Sequence, residues 1–126
     1  MTCVAIINDD SAFLSLLQDA LKLEGWDTYG LPENEAAVEA VKKLQPDLIL
    51  LDLRLPDSDG GWALIDGLTA DPEIQEIPIV VFSAVPDELK DREEWLTEHG
   101  IGILPKPFEI NDLLHCVQTT LQTVGR

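Results

Sequence analysis

The chain has 126 residues, 45% hydrophobic and 25% charged, a composition that fits a folding domain and excludes a disordered or collagen-like segment. Its 24 acidic and 8 basic side chains give a formal charge of −16, which sets the surface against nucleic-acid phosphates and anionic lipid headgroups. No apolar run nears the roughly 20 residues that span a bilayer, and the opening MTCVAIINDDS lacks the basic stretch of a secretion signal, so a cytoplasmic protein with no direct nucleic-acid or membrane partner is expected.

In chain order, CVAIIN is a β-branched strand run that gives way to Asp9, Asp10 and Ser11. Phe13, Leu14, Leu16, Leu17, Leu21 and Leu23 then recur at helical spacing until Gly25 stops the helix. A short strand is predicted over Trp26 to Tyr29, and a helix over Pro32 to Leu44, with Ala36, Ala37, Val38, Val41 and Leu44 on its apolar stripe. LILL, residues 48 to 51, is unbroken apolar sequence, the pattern of a central parallel strand covered on both faces, and it is expected to end at Asp52. RLPDSDGG reads as a turn leading to a helix over about Asp59 to Ala70, and IPIVVFS as a second fully apolar strand closing at Ser83. Glu88 to His99 is a charged helix carrying Trp95 and Leu96, Ile101 to Leu104 a last strand, and Glu109 to about Val124 the final helix.

Five β-then-α units in this length predict an α/β fold, a (βα)5 doubly wound five-stranded parallel sheet in a three-layer sandwich, because right-handed crossovers put helices on both faces. Residues 1–126 are expected to form a single domain with no output domain. In such sheets ligands bind at the carboxyl ends of the strands, near the point where strand order reverses. Cys3 and Cys116 lack metal-ligand spacing and read as passive thiols, and His99 and His115 as solvated helical residues.

Asp9, Asp52, Ser83 and Lys106 stand at or just past strand ends, and the pattern says more than any member. Two carboxylates at one rim repel each other unless a cation neutralises them. A hard divalent ion such as Mg2+, which accepts a few carboxylates and keeps several waters, suits that need. Over essentially its whole length the chain resembles a response-regulator receiver domain, CheY-like and flavodoxin-like in fold, through IINDDSAFLSLL, PDLILLDLRLPDSDGGWAL, VVFSA and PKPF.

The resemblance implies a role for each matched position. Asp52 is the phosphoacceptor, and Asp9, Asp52 and the backbone carbonyl of Arg54 are ligands of Mg2+ or another divalent cation, with Asn8 reaching it through water. Ser83 receives the phosphoryl group's hydrogen bond on switching, and Lys106 pairs with phosphoryl oxygen. The implied partner is a histidine kinase or a histidine phosphotransfer protein, followed by a downstream protein target. The family also forms homodimers through its fourth helix, fifth strand and fifth helix. Such a domain is a phosphoacceptor with self-catalysed phosphotransfer and autodephosphorylation, not a turnover enzyme.

Two positions depart from the family pattern. Asn8 replaces the first of two carboxylates, which predicts weaker attraction for Mg2+, and Ile103 replaces the aromatic residue whose rotamer change accompanies activation. These departures keep open a second reading, a pseudo-receiver that binds proteins without phosphorylation. An aspartyl phosphatase would need a second acid two residues after the nucleophile, where this chain has Arg54. A nucleotide-binding flavodoxin-like domain would need glycine in the loop after the first strand, and that loop is acidic.

Overall fold

Each apolar run becomes a strand whose alternate side chains face opposite sides of one sheet, as the two-residue period of a strand requires. The computed structural model describes residues 2–7, 11–31, 36–53, 58–74, 76–83, 93–98, 101–105 and 109–123. In chain order the elements are β1 (Cys3–Ile7), α1 (Ser11–Leu23), β2 (Asp27–Leu31), α2 (Ala36–Leu44) and β3 (Leu48–Leu53). They continue with α3 (Ser58–Ala70), β4 (Ile79–Ser83), α4 (Glu93–Glu98), β5 (Ile101–Pro105) and α5 (Ile110–Thr123). The five strands are all parallel and lie in the order β2-β1-β3-β4-β5, the doubly wound sheet expected from the alternation of units.

Two cores flank the sheet. Val4, Ile6, Leu48, Leu50, Val80 and Phe82 meet Leu17 and Leu21 of α1 and Leu113 and Val117 of α5 on one face. Ala5, Ile7, Ile49, Leu51, Ile79 and Val81 meet Val41 of α2, Ile65 and Leu68 of α3 and Leu96 of α4 on the other. Leu48 to Leu51 are all buried because both faces are covered, which is why that segment reads as continuous rather than alternating apolar sequence. Each buried Leu or Ile stabilises the fold by roughly 1.5–3 kcal/mol relative to exposure. Leu96 is therefore core, and Trp95 packs against the same cluster half-buried.

Several boundaries differ from the sequence expectation. β3 does not stop at Asp52 but continues to Leu53, because backbone pairing with Phe82 and Ser83 of β4 extends past the apolar run. β2 starts at Asp27 and runs to Leu31 through Gly30, where a Cβ would meet the end of the Leu14 side chain. β5 extends through Pro105, tolerated because an edge strand needs no donor on its open side. The helix expected from Pro32 is described from Ala36, and the one expected over Glu88 to His99 over Glu93–Glu98, the remaining positions lying outside the described residues.

Helix ends follow local chemistry. α1 closes with Gly25 at φ 84°, its N–H donating to the Lys22 carbonyl (2.9 Å) while the Trp26 N–H donates to the Leu21 carbonyl (3.3 Å), a Schellman closure. α2 ends with Gln45 at φ 51°, a left-handed conformation that side chains rarely adopt. Its backbone N–H reaches the Val41 carbonyl at 2.8 Å and its side-chain Nε2 donates to the Lys42 carbonyl at 2.9 Å.

Candidate functional site at the carboxyl edge of the sheet

The strand register sets the geometry of the rim. Ile7 pairs with Leu51, Asp52 pairs with Phe82, and Ser83 lies between Leu53 and Pro105. The backbones of Asp52 and Ser83 thus stand one residue out of step on adjacent strands, whose spacing is about 4.8 Å. Residue 8 follows Ile7 directly, and residue 106 follows Pro105. Four consecutive strands of the sheet, β1, β3, β4 and β5, therefore end at one edge beside the positions that the sequence singled out.

Strand order reverses at β1 and β3. From β1 the chain crosses through α1 to β2 on one side, and from β3 through α3 to β4 on the other, so the connections diverge at these strand ends, the place where sheets of this kind bind ligands. Asp52 lies in β3, at this switch point, and Ser83 is the last residue of β4. Asn8, Asp9, Arg54 and Lys106 lie outside the described residues, as do Asp10, Asp57 and His99. Among the described residues no three of His, Cys, Asp and Glu converge on a metal position.

An aromatic contact beneath the rim escaped the sequence reading. Phe82, fully buried and the register partner of Asp52, meets Phe13 of α1 edge to face, with ring centroids 6.2 Å apart and planes at 74°. Helical periodicity marks Phe13 as core-facing, but its partner is almost seventy residues away and only the strand order brings the rings together.

The opposite, amino-terminal rim carries fastenings of a different kind. The Cys3 N–H donates to Asp47 Oδ2 at 2.9 Å and the Asp47 N–H donates to the Cys3 carbonyl at 2.8 Å, tying the start of β1 to the residue before β3. Lys42 of α2 pairs with Asp71 at 2.9 Å and Glu73 at 3.6 Å, in the loop after α3. The hydrogen bond from Lys42 holds the Asp71 carboxyl below its ordinary range, and the same bond raises Lys42. Burial pushes the Cys3 thiol up, with Asp47 and Asp27 adding to it, and burial likewise raises Cys116. Both cysteines are free, and thiols shifted this way are poor nucleophiles, as expected of passive residues. His115 is exposed on α5.

Among the described residues no helix is long and apolar enough to cross a membrane. In comparison with known proteins, the DNA-binding dual master transcriptional regulator RpaA of Synechocystis sp. is 29% identical over 126 residues, 100% of this chain and 52% of that protein. The chain spans about half the length of the curated relatives it matches. The signal receiver domain of a signal transduction histidine kinase from Syntrophus aciditrophicus superposes with a TM-score of 0.78 at 27% identity, covering 100% of this chain and 94% of that one. The receiver domain of the sensor histidine kinase PA1611 of Pseudomonas aeruginosa, whose structure holds a magnesium ion in its active-site cleft, shares the fold with a TM-score of 0.78 at 22% identity, over 96% and 98% of the two chains. The response regulator receiver domain model matches residues 4–118, and the chain belongs to that family.

Proposed function

We propose that this domain takes a phosphoryl group from a phosphohistidine onto Asp52 and passes the change to a protein partner. The observation that carries the reading is the shared rim: Asp52 and Ser83 on neighbouring strands at the switch point, with Asp9 two residues after β1 and Lys106 one residue after β5.

The Asp52 carboxylate attacks phosphorus in line, forming an acyl phosphate as the phosphorus–nitrogen bond breaks and the imidazole leaves. Lys106 offsets negative charge on the transferring oxygens, and Ser83 donates its hydroxyl to one of them afterwards. Hydrolysis of the acyl phosphate by water returns Asp52 to the carboxylate. The donor set proposed for a cation, Asp9, Asp52, the Arg54 carbonyl and Asn8 through water, is made of hard oxygen atoms and fits Mg2+. When bound, that ion supplies charge neutralisation at the two carboxylates and at the incoming phosphate. The donor partner is a histidine kinase or histidine phosphotransfer protein.

RpaA is named as DNA-binding, yet the matched stretch is about half of it. Here the formal charge of −16 opposes contact with a phosphate backbone, so DNA binding by any longer protein carrying this domain falls to other residues. Incubation with a small-molecule phosphodonor and Mg2+, followed by intact mass, tests the proposal. One added phosphoryl group that disappears in Asp52→Ala is expected. A protein that gains none, or an Asp52→Ala variant that still gains one, contradicts it.

A further inference from the structure

We draw no further inference here: the strongest candidate, the outer face of α1 with Leu16 53% and Leu23 89% exposed, is an apolar helix surface and nothing in the structure shows what covers it.

Discussion

In the proposed cation site Asn8 stands where the receiver family carries a carboxylate, which would remove one negative charge from the ion's surroundings. Ligand charge count tunes affinity for hard divalent ions, so Asn8→Asp is expected to raise Mg2+ affinity about three- to tenfold. Calorimetric titration checks this, and an unchanged dissociation constant would remove Asn8 from the site. At the far end of α1, Gly25 has φ 84° and open space where a Cβ would stand. The cost of Gly25→Ala is therefore conformational, not steric, and about 1–2 kcal/mol of stability should be lost in urea unfolding. This position was legible as a helix stop because glycine after an apolar helical stripe signals a left-handed closure. Gln45 was not, since it adopts the same backbone region at φ 51° with no glycine to announce it. Gln45→Gly relieves a left-handed cost of roughly 1–2 kcal/mol, against about 0.4–1 kcal/mol of added unfolded-chain entropy and the loss of an exposed hydrogen bond to the Lys42 carbonyl. A slightly higher urea midpoint is therefore expected.

At the scale of elements, β3 and β4 announced themselves because strands buried on both faces need unbroken apolar sequence. Their ends were harder to place. Asp52 reads as a terminus by side chain, yet the backbone ladder ignores side-chain polarity and runs on to Leu53. β2 is an edge strand with Asp27, Tyr29 and Gly30 exposed, so it carries little apolar pattern and its limits were displaced. The α2 fastening was likewise invisible, because Lys42 meets Asp71 only once the helices are packed. That pair predicts a pH dependence. Asp71 is held below 3.8, so its contribution to stability is present above that value and is lost as pH falls through the lowered folded value. Lys42 is raised above 10.5, so its contribution is full below that value and is lost as pH rises through the raised one. The gap in urea midpoint between wild type and Lys42→Met should therefore narrow at both extremes and stay level between them. A gap that does not vary with pH would show the pair to be energetically silent.

For the whole molecule, the strand order β2-β1-β3-β4-β5 does most to bring the sequence-marked strand ends to one edge. Asp52 and Ser83 are 31 positions apart in the chain, yet parallel pairing puts them on adjacent strands at the same edge. Residue types and their places after strands were readable from sequence because strand ends combine a periodic apolar run with an abrupt polar residue. The ring contact between Phe13 and Phe82 was not, since it depends on which strand lies beside which. The two rims differ: hydrogen bonds and an ion pair fasten the amino-terminal edge, while Asp52 and Ser83, proposed for chemistry, lie on neighbouring strands at the carboxyl edge. The most direct test of the account is to phosphorylate the protein in Mg2+, reduce the acyl phosphate with borohydride, and locate the modified residue by peptide mass spectrometry. Reduction at Asp52 alone is the predicted result, and a label on any other carboxylate, or none, would contradict it.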